Sequence, residues 1–290
     1  NSDMKTAQLI WFIDSRFFYE NTSLDKLVHI ANIHNKQIKV IIDASAQLTG
    51  RGYWHLFDNI EPLSNEVIVE LDKKQAQLNK FFTMNAIKAD VIINQSINYL
   101  KILNSEIEKN QGSLVIIEDT IATNRHPIFQ GFRELKAPIL LLSKKRWKHA
   151  INILAAIDPM HEHARPEYID ENIVSLTQNW ASSLKASWAI AHCYYVASVL
   201  TQYKRKLIEM HHESLNAFAK RNRLPDKHCV LLEGIPENAL SSYIDKHHID
   251  ILVIGLVARN KLEQFWIGST TSALLCAPPC DMLLIKHQNR

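Results

Sequence analysis

Glycine is scarce in this chain, seven among 290 residues, and two of the seven fall in one pattern, Gly255-x2-Ala258-x9-Gly268-Ser269-Thr270. The pattern stands between an apolar run and a helix-period segment. A glycine at the carboxyl edge of a strand lets the backbone come close to a ligand. Gly268-Ser269 at a helix start offers unpaired N–H groups and the positive end of the helix dipole, which are the donors a phosphate needs. An acid, Asp158, closes an earlier apolar run and lies beside Gly255 if those two strands are neighbours. Open α/β sheets take ligands at the carboxyl ends of their strands, where strand order reverses. On spacing alone, an ordinary glycine-capped strand–helix turn accounts for the pattern equally well.

Other chemistry is thinner. Fourteen histidines include His161-Glu162-His163, in the loop that follows Asp158, and the adjacent pairs His211-His212 and His247-His248. Adjacent residues do not share a helix face. A zinc site needs three or four convergent ligands, so His161 and His163 are candidates short of a set and no required metal is predicted. The chain has no Gly-x-Ser-x-Gly elbow, no Walker A lysine and no His-Glu-x-x-His, so no catalytic residue is assigned and the reading is of a protein that is not an enzyme. Four cysteines make no disulfide framework in a chain of this size, and Cys276-x3-Cys280 is not a zinc knuckle. Net charge is +3, too small to call for nucleic acid. The basic clusters at 144–148, 204–206 and 220–223 read as a solvated joint and two exposed helix turns. No apolar run reaches the roughly 20 residues of a bilayer span, so no membrane partner is expected. The N-terminus lacks the basic-then-apolar order of a secretion signal, and a cytoplasmic protein is expected.

The elements that must position these residues alternate between apolar runs and helix-period segments, the signature of a mostly parallel sheet covered by helices. In the second half, strands are expected at 151–158, 187–196, 228–233, 250–255 and 281–286. Ile169, Ile173, Leu176, Trp180 and Leu184 form one helical face, and Tyr203, Leu207, Met210, Ala217 and Phe218 another. Pro236 opens a third helix. Gly268-Ser269 opens a last one, which stops at Pro278-Pro279. The first half repeats the plan after about 140 to 150 residues, with strands at 8–14, 38–43, 89–94, 113–118 and 138–143. Ser23 is expected to cap a helix carrying Leu24, Leu27, Val28 and Ala31. Val67, Leu71, Leu78 and Phe82 share a further face. Two domains follow, residues 1–145 and 146–290.

The pattern Gly-x2-Gly-x9-Gly-[Ser/Thr], after an apolar strand and before a final helix and strand, resembles the nucleotide loop of the universal stress protein family. Residues 153–158, Gly234-Ile235-Pro236-Glu237, residues 250–255 and residues 281–286 resemble that family's opening strand, third helix, fourth strand and closing strand. The two-domain arrangement with a degenerate first half is similar to the family's tandem-domain type. The resemblance implies two tandem doubly wound α/β domains, each a five-stranded parallel sheet of Rossmann-like, adenine nucleotide alpha hydrolase-like form. It implies a bacterial stress-response protein that senses ATP or AMP through its second domain. Asp158 would lie near adenine and ribose, with Gly255, Ala258, Gly268, Ser269 and Thr270 around the phosphates. Ala258 replaces the loop's second glycine; if that position needs a positive φ, alanine strains it by about 1–2 kcal/mol. In the first half the same alignment sets Glu118 at the place of Gly255, Ile121 at Ala258 and Gly131-Phe132 at Gly268-Ser269. A carboxylate there repels phosphate, so the first domain is expected not to bind nucleotide. The resemblance further implies pairing of the two domains as an intrachain pseudo-dimer, and it leaves room for a homodimer. The alternatives are a scaffold or a carrier of a small apolar metabolite or lipid with a vestigial nucleotide site, and a slow ATPase.

Overall fold

The computed structural model describes residues 8–17, 19–34, 36–45, 47, 63–110, 112–120, 127–148, 150–160, 168–256 and 269–286. The chain divides into two compact units, Asn1–Lys144 and Lys145–Arg290.

The first unit contains strands β1 (Gln8–Asp14), β2 (Gln37–Asp43), β3 (Ala89–Asn94), β4 (Leu114–Glu118) and β5 (Ile139–Leu142). They lie in the order β3-β2-β1-β4-β5, with every pair described here parallel. Helices α1 (Asn21–His34), α2 (Asn65–Met84) and α3 (Tyr99–Lys109) link them. The central strands are buried along almost their whole length, Leu9 to Ile13 and Leu114 to Ile117, as strands covered on both faces must be. Helix α2 lays Leu71, Leu78 and Phe82 on the core, and Ser64 caps it by accepting the Val67 N–H at 3.5 Å. Before β5 the chain forms a 3₁₀ turn, Pro127–Arg133, where the second unit has an α-helix. Gly131 packs there against Leu100, whose methyls would stand 2.9 and 3.0 Å from an added Cβ. A side chain here would make the Leu100 methyls shift.

The second unit contains β6 (Asn152–Ile157), β7 (Ser187–Tyr194), β8 (Cys229–Glu233), β9 (Ile251–Leu256) and β10 (Asp281–Lys286). Their order is β10-β9-β6-β7-β8, again parallel. Helices α4 (Ile169–Leu184), α5 (Lys204–Arg221), α6 (Pro236–His247) and α7 (Ser269–Cys276) complete it. Right-handed crossovers put the connections leading out through β7 to β8 on one face and those returning through β9 to β10 on the other. Both units are therefore doubly wound, as expected.

Two local expectations fail. Ser23 does not cap α1; the helix begins at Asn21, and the buried Ser23 hydroxyl turns to the carboxylate of Glu118. The α5 face is displaced: Leu215, Phe218 and Ala219 are buried, whereas Tyr203 and Met210 are exposed and Ala217 lies outside the core. The helix packs only its C-terminal half on the sheet, and periodicity cannot show which half of an apolar stripe meets the core.

Candidate functional site

In the second unit β6 and β9 are hydrogen-bonded neighbours, with Ile153 opposite Ile251 and Ala155 opposite Val253. Carried onward, that register sets Ile157 opposite Gly255 and Asp158 one residue further. Chain connections leave these two strands in opposite directions, so Asp158 and Gly255 flank the switch point. Gly255 is buried within β9, and its carbonyl accepts from the Thr271 hydroxyl at 3.2 Å. That bond draws the first turn of α7, with Ser269 and Thr270, to the carboxyl edge of β9. Gly268, Ala258, His161 and His163 lie outside the described residues.

Asp158 is held from two sides. Its backbone N–H donates to Oδ2 of Asp170, a buried acid in the first turn of α4, at 3.1 Å. Its Oδ1 lies 3.9 Å from Nδ1 of His192. His192 sits fully buried in β7, and its Nε2 is 2.8 Å from Nδ1 of His211 on α5. One ring nitrogen of that pair must donate and the other accept. Asp158, the buried His192 and the partly buried His211 thus line up from the switch point to the underside of α5. Sequence reasoning missed His192; the available signal was a polar residue inside an otherwise apolar strand, Trp188-Ala189-Ile190-Ala191-His192. The adjacent histidines diverge as expected: His212 meets Asn216 at 2.9 Å, and His247 stacks on Tyr243. Burial, helped by the charges of Asp158 and Glu237, pushes the Cys193 thiol up to about 12, so it is no nucleophile near neutrality.

The first unit has the same frame with different contents. Trp11 pairs with Ile116, which puts Asp14 in the place of Asp158 and Glu118 in the place of Gly255. Asp14 is closed off by Arg16, which donates Nε at 3.1 Å to Oδ1 and Nη2 at 2.7 Å to Oδ2. Those bonds hold the Arg16 guanidinium above its usual range. Glu118, only 5% exposed, accepts from the Glu20 N–H at 2.9 Å and from the Ser23 hydroxyl. Glu20 and Ser23 bracket the start of α1, so this carboxylate occupies a helix N-terminus where a ligand anion would otherwise fit. Burial raises its pKa to about 6 despite those two bonds. Asp43, opposite Asp14 at the end of β2, is fully buried and accepts from Ser45 and Asn94, each at 2.6 Å. Gly131 and Phe132 are buried in the 3₁₀ turn and begin no α-helix; Ile121 lies outside the described residues.

Two concavities among the described residues have walls that include none of Asp14, Glu118, Asp158 and Gly255. One of about 340 Å³ runs between Trp147, His248 and Cys280. Trp147 donates there to Asp281 at 2.7 Å, and Lys145 to the Pro279 carbonyl at 2.6 Å. These bonds fasten the joint segment to the amino edge of the second unit. Among the described residues no group of three or more His, Cys, Asp or Glu is placed to hold a metal ion.

A parallel five-stranded sheet with an acid and a glycine across its switch point, and a helix start tied to that glycine, defines a doubly wound α/β domain of Rossmann-like form. Residues 152–286 match the model of the Universal stress protein family, and the second unit is a domain of that family. Across both units the chain is similar to tandem-domain proteins of the universal stress protein E kind. A universal stress protein E homolog of Haemophilus influenzae is 22% identical over 251 residues, 80% of this chain and 78% of the relative. Universal stress protein E of Photorhabdus laumondii is 21% identical over 54% of each chain. Among solved structures, a putative universal stress protein of Pseudomonas aeruginosa shares the fold with a TM-score of 0.68 at 18% identity, over 98% of this chain and 94% of that one. A functionally unknown protein of the same species does so with a TM-score of 0.68 at 17% identity, over 99% of this chain and 95% of that one.

Proposed function

We propose that this chain is a stress-response binding protein, regulatory and not an enzyme, that takes an adenine nucleotide at the switch point of its second unit only. The observation that carries this reading is the exchange at one position: Gly255 leaves the second switch point without a side chain, and Glu118 fills the first with a carboxylate. In the second unit Asp158 faces the adenine and ribose, and the first turn of α7, Ser269 and Thr270, receives the phosphates together with Gly268 and Ala258. ATP and AMP are the ligands to test. Isothermal titration of the whole chain should give one site per chain. Gly255→Glu, which copies the first unit, should weaken binding at least about tenfold, about 1.4 kcal/mol, with an unchanged near-ultraviolet dichroism spectrum. Asp158→Asn, which adds no bulk, tests the same site if the first variant fails to fold. Two sites per chain, or affinity untouched by either variant, would overturn the proposal. Absence of binding by the wild type, with an apolar molecule co-purifying, would favour a carrier of a small apolar metabolite.

The same reading places the chain in the cytoplasm and pairs its two units about a pseudo-two-fold axis. Small-angle scattering that shows two separated lobes would contradict the pairing.

A further inference from the structure

Among the described residues His192 is the only buried histidine, 1% exposed near the carboxyl end of β7. Strand register sets it opposite Ile157, the residue before Asp158. Its two ring nitrogens meet two different groups. Nδ1 lies 3.9 Å from Oδ1 of Asp158, and Nε2 lies 2.8 Å from Nδ1 of His211. The second distance is a hydrogen bond; the first is too long for one and short enough for charges to act across it. The His211 ring also lies against Tyr194, with centroids 5.6 Å apart.

One proton sits between the two histidines, because one nitrogen of the bond donates and the other accepts. If it belongs to His211, a neutral His192 carries its own proton on Nδ1, turned to the Asp158 carboxylate. If it belongs to His192, Nδ1 turns a lone pair to that carboxylate. The carboxylate favours the first tautomer. His211 then holds its acceptor lone pair on Nε2, and His211 is only partly buried, so an added proton enters there. That proton leaves the bond intact. The positive charge lies on either ring, and in both cases His192 presents Nδ1–H to Asp158. A second added proton would set N–H against N–H and break the pair.

The charged groups on the elements packed around the pair are acids and one lysine. Asp170, in the first turn of α4, holds the Asp158 N–H. Glu237, in the first turn of α6, and Asp158 both act on the neighbouring Cys193 thiol. Glu233, at the end of β8, accepts from Tyr194 and pairs with Lys204 at 2.6 Å. On α5 His212 turns aside to Asn216, and toward the amino end of β7 His228 meets the Trp188 carbonyl. Lys204 is thus already paired with an acid, and a positive charge on the histidine pair has the Asp158 carboxylate as its counter-charge.

We propose that nucleotide and one proton on the His192–His211 pair compete for Asp158, so that affinity falls as the pair is protonated. The inference rests on the nucleotide reading above. With the pair neutral, Asp158 offers its carboxylate to ribose or adenine donors. With the pair protonated, the imidazolium N–H draws that carboxylate toward β7 into a charge-assisted bond, which weakens it as an acceptor and turns it from the ligand. His192 and His211 are positioning residues, acting through Asp158. By linkage, binding of nucleotide expels a proton.

The test is isothermal titration of the full chain with ATP from about pH 8 to about pH 5.5, the interval in which histidine titrates. The terminal phosphate of ATP titrates there too, so the quantity read is the difference between wild type and variant. His192→Gln can keep a donor toward His211 and takes no charge. His211→Leu removes the outer half of the pair, and at a partly buried position it carries the test if His192→Gln fails to fold. Near-ultraviolet dichroism checks both. Wild type should lose at least about fivefold more affinity over the interval than either variant. His212→Gln, at the exposed neighbour, should lose affinity as wild type does. Wild type and both folded variants losing affinity in parallel, or wild type gaining affinity relative to them as pH falls, would overturn this proposal and leave the nucleotide reading standing. A wild type that binds no ATP at any pH would overturn both.

Discussion

The two carboxyl edges share a frame and differ in what stands on it. In the second unit a glycine opens the switch point and a threonine draws a helix start toward it. In the first, Arg16 closes over Asp14, Glu118 fills the start of α1, and a 3₁₀ turn replaces the last helix. The strand order is retained while the polar groups at the switch point are satisfied internally. Burying carboxylates at this edge is compatible with the fold, because each of them has a donor.

That contrast can be broken most forcefully at Arg16. Asp14 is 3% exposed, and removing its bidentate partner leaves a buried carboxylate with the backbone N–H of residue 16, at 3.0 Å, in place of a cation. Arg16→Ala should cost roughly 3 kcal/mol in urea unfolding, whereas Asp158→Asn should cost far less, Asp158 being about a third exposed. Equal costs would mean that the two acids stand in equivalent surroundings.

Glu118 gives a smaller effect with a defined sign. Its folded pKa is raised from 4.5 to about 6, so the folded chain holds more protons than the unfolded chain in that interval, and stability falls as pH rises through it. The loss should be about 2 kcal/mol and absent in Glu118→Gln, which cannot ionise. Urea midpoints from below pH 4.5 to above pH 6 measure it, and a parallel pH dependence in wild type and variant would refute the assignment. Smallest is Thr271→Val, which removes the hydroxyl bonded to Gly255. It should cost about 1 kcal/mol and lower nucleotide affinity by less than tenfold, with the first unit unaffected.

Much of this frame was legible in the chain alone. Strand positions were readable because parallel strands buried on both faces are continuous apolar runs, and their ends are marked by Asp14, Asp43, Glu118 and Asp158. The equivalence of Glu118 with Gly255 followed from the alignment that the family resemblance implies and agrees with the strand registers. Val67 to Val69 looks locally like a strand, but the wider period of Val67, Leu71, Leu78 and Phe82 identifies α2 as a helix. Two things were not legible. The His192–His211 contact joins residues nineteen apart on a strand and a helix, a pairing that no local pattern encodes. The half of α5 that meets the core depends on where the helix crosses the sheet, and apolar residues outside the core are ordinary enough that sequence alone cannot flag them.

Glu118 has a consequence for how the two units answer to their surroundings. Any ligand that binds only the folded state adds stability that grows with the logarithm of its concentration. The second unit, taking nucleotide as proposed, would therefore gain stability as nucleotide concentration rises. On the same proposal the first unit, which carries a carboxylate on its own strand at a fixed stoichiometry of one, would gain nothing from mass action. One chain would then join a concentration-dependent unit to a constant one, and the difference between their unfolding temperatures would become an internal gauge of nucleotide supply.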